Sequence, residues 1–138
     1  MSKQSAWMAT FGRLLIAALF LASGLGKLAA PAMTEGYIAS AGLPAPLLGY
    51  LIALAVEIGG SVLLVVGFQT RATALVMAVF TVATALIFHH DFADQNTMIH
   101  FLKNIAITGG LLQVVAVGAG PLSIDGRRQS AVRAVAVA

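Results

Sequence analysis

The chain reads as four long apolar runs separated by short polar breaks. The first extends from about Met8 to Leu28 and is interrupted early by Arg13, with Trp7 at its start, where an interfacial aromatic would anchor a membrane span. The second, from about Leu47 to Phe68, carries one acid, Glu57, near its middle, and the third, about Ala72 to Phe88, carries no charge. The fourth runs from near Phe101 to about Val117, with Lys103 and Asn104 in its first turn and Gln113 deeper. Helical runs of about 20 apolar residues match the thickness of a bilayer core. Between the first two, Pro31 to Leu43 combines a helix-starting proline, polar Thr34 and Glu35, apolar Tyr37 and Ile38, and a Gly42-Leu43-Pro44 stop. That pattern predicts a short interfacial helix or a re-entrant turn.

The expected fold is thus an all-α integral membrane protein, a four-transmembrane-helix bundle with a short interfacial helix between spans one and two. Composition agrees: 59% of the 138 residues are hydrophobic and 9% charged, with a mean hydropathy of +0.95, whereas about a quarter of a soluble domain is charged. A secretory signal peptide is the rival reading of the first run, but Lys27 interrupts the place where cleavage would fall. The absence of cysteine removes thiol redox chemistry and cysteine-ligated metal from this chain.

Charge sets the expected orientation. Lys3, Arg13, Arg71, Arg127, Arg128 and Arg133 all fall on one side of a four-span arrangement. The other side holds Glu35, His89, His90, Asp91, Asp94 and His100, with Lys27 and Lys103 as its fixed positive charges. The positive-inside rule then puts both termini in the cytoplasm. Scattered basic residues of this kind form no phosphate-binding face, so no nucleic-acid partner is expected. Residues 1–126 are read as the membrane domain and 127–138 as a basic, disordered cytoplasmic tail, with Val135 to Ala138 the least structured part.

Two polar groupings stand out as candidate sites. Glu57 falls roughly 15 Å from either end of its helix, where a carboxylate must be paired or protonated. Arg13 and Gln113 lie at depths that let them join it, so Arg13, Glu57 and Gln113 form a candidate intramembrane cluster if helix rotation brings them together. The alternatives are a helix-locking ion pair, a proton-handling or ligand-binding role, and a lone protonated Glu57. At the outer end Lys27, His89, His100, Lys103 and Asn104 are forced near one another by short connections. His100, Lys103 and Asn104 share one helical face, and the group offers donors to an anionic or carbonyl-bearing headgroup. The histidine and aspartate spacing matches no metal motif, and no metal is predicted.

Small residues recur four apart within the spans, as in Ala22 to Gly26, Ala55 to Gly59 and Ala106 to Gly110, a spacing that permits close helix packing in lipid. The doublets Gly59-Gly60 and Gly109-Gly110 are read the same way. No phosphate loop, hydrolytic triad, zinc-protease or dinucleotide motif is present.

Taken in order, Arg13, Ser23-Gly24-Leu25-Gly26-Lys27-Leu28, Gly42-Leu43-Pro44, Glu57-Ile58-Gly59-Gly60, Gly67-Phe68-Gln69-Thr70-Arg71, His89, His100-Phe101-Leu102-Lys103-Asn104, Gly109-Gly110 and Ser123-Ile124-Asp125 give a chain that resembles the DoxX family of small bacterial inner-membrane proteins. The resemblance covers about residues 10–126 and points to Arg13, Lys27, Glu57, His100, Lys103 and Asn104. It implies a multi-pass protein of the bacterial inner membrane, associated with redox systems as a non-autonomous oxidoreductase subunit. A quinone is the implied cofactor, with redox-complex subunits, membrane lipid and further copies of the chain as partners. Two other functions stay open at this point. A small-solute or proton pathway would run past Arg13, Glu57 and Gln113, and a non-catalytic anchor would hold a soluble partner at the membrane through the basic tail or the outer loops.

Overall fold

The computed structural model describes residues 2–136, with the side chains of residues 133 and 134 left aside. Six helices follow in order: α1 Lys3–Ala29, α2 Pro31–Ser40, α3 Pro46–Val66, α4 Thr70–Phe88, α5 Gln95–Val117 and α6 Ile124–Ala136. Among the described residues four of these, α1, α3, α4 and α5, are long and apolar enough to cross a membrane. They form the expected four-span bundle, with α2 as the short helix between the first two spans.

The polarity of the bundle is inverted relative to a soluble protein. Leu15, Leu19, Leu51, Val62, Leu75, Val79 and Leu112 are exposed, while Arg13, Glu57, Ser61, Thr70, Thr73 and Thr81 are buried. A lipid solvent favours this arrangement, because hydrocarbon accepts the apolar faces and cannot satisfy the polar ones. The inner core joins Ala17 and Phe20 of α1, Leu64 of α3, Ala74, Met77 and Ala78 of α4, and Leu111 of α5.

Local chemistry explains the helix ends. The Asp94 carboxylate accepts from the Thr97 amide at 2.8 Å and its hydroxyl at 2.7 Å, and this cap starts α5 at Gln95, six residues before the apolar run begins. Two prolines at helix starts, Pro31 and Pro46, open α2 and α3. The α3 helix ends at Gly67, whose φ of 66° lets its amide reach Leu64 O and the Phe68 amide reach Leu63 O. Within α3, Ala55–Gly59 winds as a π-helical turn centred on Glu57, a widening of the helix that is frequent at functional sites.

Only part of the packing expected from the four-residue spacing is formed: Gly26 and Gly59 have no neighbour where a side chain would stand, whereas Gly110 lies in contact with Ile16, at 3.4 Å. Gly24 does the packing on α1: a Cβ there would lie 2.6 Å from Ile58 and 3.1 Å from the Glu57 Cβ. Gly60, likewise, faces Met77 at 2.8 Å.

The residues expected to be a disordered tail from 127 onward are instead helical as far as Ala136, in α6; residues 137 and 138 lie outside the described part. The boundary expected after residue 126 therefore cuts a helix. Ser123 caps it, its hydroxyl accepting from the Gly126 amide at 3.0 Å. Asp125 then docks the helix onto the α3–α4 turn, accepting from the Gln69 amide at 2.9 Å and from the Thr70 amide and hydroxyl at 2.8 Å. The Arg128 guanidinium lies 5.1 Å above the Phe68 ring. These tertiary contacts, invisible in a polar composition, order the segment.

Candidate functional site

The central feature is an ion pair between α1 and α3. Lys27 Nζ lies 2.9 Å from both carboxylate oxygens of Glu57 and donates as well to Ser23 Oγ at 2.8 Å. Glu57 is buried and Lys27 half-buried. The pair depends on the closeness of the two backbones at Gly24, one turn before Lys27. Beside it, α2 stacks against the first turns of α3 with Ile38 on Gly49. The start of α3 lies past the end of α1, and Glu57 stands beside Gly24, five residues or about 7.5 Å inside the end of α1.

The expected cluster of Arg13, Glu57 and Gln113 is therefore not formed. Arg13 lies fourteen residues from Lys27, about 21 Å along α1, and its Nη2 donates to Leu122 O at 3.2 Å. Its guanidinium packs on Gly67 and Ser123, holding the α3–α4 turn and the segment before α6 together at the end of the bundle where the chain starts. Gln113 is exposed on the lipid-facing side of α5. The three residues do not line a common path, which removes the route on which the pathway reading was drawn. Depth arithmetic misled here because it treated every span as centred on the same plane.

The outer group is brought together, and Glu57 joins it. Lys27, Glu57, His89, His100, Lys103 and Asn104 all line one cavity of about 700 Å³. Its walls are α1, α3, α4 and α5, and Thr34, Tyr37 and Ile38 of α2 close over it. Tyr37 is fixed in that position by stacking on Phe88, with ring centroids 5.1 Å apart. The imidazoles of His89 and His100 stack at 5.3 Å. Burial, and then the neighbouring His100, lowers the pKa of His89, so this imidazole favours its neutral form. Below the polar groups the walls are apolar: Leu19, Phe20, Ile52, Phe80 and Ile107.

Sequence reasoning placed Lys27 and Glu57 in separate groups and passed over Ser23, Thr34, Thr81 and Thr84, which also face the cavity. The signal that could have joined the pair is the three-residue spacing of Gly24 and Lys27, a close-approach residue one turn from a cation on the same helix face.

Chemically the cavity is amphipathic. The Lys27–Glu57 pair is internally neutral and leaves Lys103 as the further fixed positive charge on the wall, so the site is suited to a carbonyl-bearing or anionic polar head with an apolar body. N–H donors for such a head are present on His100, Lys103 and Asn104.

Comparison with known proteins agrees with this architecture. The DoxX family model matches residues 8–90, which include α1 from Met8 onward, α2 to α4 and both members of the ion pair. The chain is 41% identical over 113 residues to the inner membrane protein YqjF of Escherichia coli (strain K12), an alignment covering 82% of this chain and 85% of that protein. It is 36% identical over 121 residues to the inner membrane protein YphA of the same organism, covering 83% and 86%. No solved structure matches the chain. With four apolar spans and relatives named as inner membrane proteins, the chain is a polytopic inner-membrane protein and belongs to the DoxX family.

Proposed function

We propose that the chain is a membrane subunit of an oxidoreductase system and that the outer cavity binds a quinone. The observation that carries this reading is the single amphipathic cavity in which a charge-neutral Lys27–Glu57 pair, the His89–His100 stack, Lys103 and Asn104 crowd one end of an otherwise apolar space. His100, Lys103 and Asn104 would donate to the quinone carbonyls, and the apolar walls of α1, α3, α4 and α5 would contact the ring and the start of an isoprenoid tail. A bound quinone supplies a carrier of two electrons and two protons. The electrons would come from a partner subunit. On this reading both termini face the cytoplasm, as the distribution of Lys3, Arg71, Arg127 and Arg128 favours.

The test is extraction of quinone from protein purified gently from its native membrane. About one quinone per chain is expected, falling to the ratio of the surrounding lipid in a His100→Ala, Lys103→Ala double variant that retains its helical circular dichroism. Quinone at the bulk-lipid ratio in both proteins would overturn the proposal.

A further inference from the structure

A second cavity, of about 600 Å³, lies at the opposite end of the bundle, the end at which the chain starts. Its walls are the first turn of α4, the irregular chain that leaves α5, and the inner side of α6. It shares no residue with the outer cavity.

Arg71 is the cation of this cavity. Its guanidinium rests against Gly118, with Nε 3.2 Å and Nη2 3.6 Å from the point where a side-chain carbon would stand, so the bare backbone there leaves it room at the wall. Among the described residues Arg71 is exposed and takes part in no ion pair or side-chain hydrogen bond. Asp125 also faces the cavity, but its carboxylate is already taken up by the Gln69 and Thr70 donors. Arg127 and Arg128 follow Asp125 on α6, outside the lining, so this end of the bundle as a whole is positive although Asp125 offsets Arg71 within the cavity. Gln129, on the wall, adds a side-chain amide donor.

The surface continuing from Arg71 is apolar. Leu75 and Val79 follow it at four and eight residues, on the same stripe of α4, and both are exposed towards lipid. A polar cavity with an exposed arginine on its wall, at the positive end of the bundle and running directly into an exposed apolar stripe, has the shape of an anionic amphiphile. Free phosphate would satisfy the first half of the site and leave the second bare.

We propose that this cavity holds the headgroup of an anionic phospholipid, its phosphodiester on Arg71 and an acyl chain along Leu75 and Val79. The lipid belongs to the leaflet on the side of the N-terminus. It also bridges α4 to the docked α6, so occupancy adds to the contacts that hold α6 in place.

The test uses the full-length protein in detergent, with native mass spectrometry reading the lipid retained as phosphatidylglycerol is titrated in. Phosphatidylglycerol is expected to bind more tightly than phosphatidylcholine. Arg71→Gln is expected to weaken it by about fivefold, the attraction of one basic side chain for an anionic surface, and Arg71→Lys to retain most of the affinity. Because Arg71 is exposed, these variants keep the fold, which helical circular dichroism checks. Equal retention of the two lipids, no change in Arg71→Gln, or an equally large loss in an Arg127→Gln control would overturn the proposal. Displacement of the lipid by millimolar inorganic phosphate would also overturn it, since the site would then read the anion alone.

Discussion

Lys27 Nζ is equidistant, at 2.9 Å, from the two carboxylate oxygens of Glu57, and the closeness of α1 and α3 that permits this is set by Gly24 rather than by either charged residue. Bidentate acceptance gives both oxygens of a buried carboxylate a partner in a medium that offers none of its own.

Removing one member of the pair is expected to cost more than removing both. Lys27→Met leaves a buried carboxylate without its cation, a loss of about 3 kcal/mol for comparable pairs. Lys27→Met combined with Glu57→Gln should recover much of it. Reversible unfolding in mixed micelles measures the four corners of the cycle, and additivity of the two single changes would refute a direct coupling.

Glycine substitutions should separate packing positions from open ones. Gly24→Ala drives a carbon to within 2.6 Å of Ile58 and should destabilise by about 1–3 kcal/mol. Gly26→Ala, two residues on, meets nothing within 4 Å and should be neutral or stabilise by up to about 1 kcal/mol through its helix propensity. Equal effects at the two positions in thermal denaturation would contradict the observed approach of α1 to α3.

Docking of α6 should depend on pH through Asp125. Burial raises the pKa of this carboxyl, but the hydrogen bonds from Thr70 and Gln69, with Arg128, outweigh that and leave it below the ordinary value of 3.8. A carboxyl depressed by folding contributes stability that is fully present above 3.8 and is lost as the pH falls through the folded value. Hydrogen exchange at the Thr70 amide should therefore accelerate as the pH is lowered through that window, after correction for intrinsic rates. In Asp125→Asn exchange should be faster throughout and the pH step absent.

The His89 imidazole should titrate below 6.5, the value it would have unfolded. Burial is the larger cause and His100 the smaller, so His100→Gln should raise the midpoint in part and not restore it fully. Stability tied to neutral His89 is fully present above 6.5 and declines as the pH falls towards the folded value. Imidazole proton shifts measured by NMR in both proteins check this, and an unchanged midpoint in His100→Gln would exclude the contribution of the stacked ring.

What the order of residues determined by itself was the medium and the number of crossings. Four apolar runs, each long enough to span hydrocarbon, admit one class of structure, because a backbone in lipid must satisfy its own hydrogen bonds and does so as helices. The helix start at Pro31 was equally local, and Asp94 before Thr97, Pro46 at a helix start and Gly67 at a stop, though not singled out in the sequence, also act within a few residues. The grouping of Lys27, His89, His100, Lys103 and Asn104 was legible too, since short connections hold consecutive helix ends together.

Pairing across the bundle was decided only by the tertiary structure. Which cation meets Glu57 depends on the axial offset of α3 against α1, an offset that goes with the packing of Ile38 of α2 on Gly49 and of Gly24 on Ile58. Helical periodicity gives each residue a face and a height on its own axis, but it carries no information on the rotation and slide of one axis against another. For the same reason Arg13 was matched with Glu57 when it serves Gly67 and Leu122, and Asp125, placed at the end of the membrane domain without a partner, caps α4. Rotation and slide are properties of the packed bundle, set by which side chains interlock, and they exist only once the helices have met.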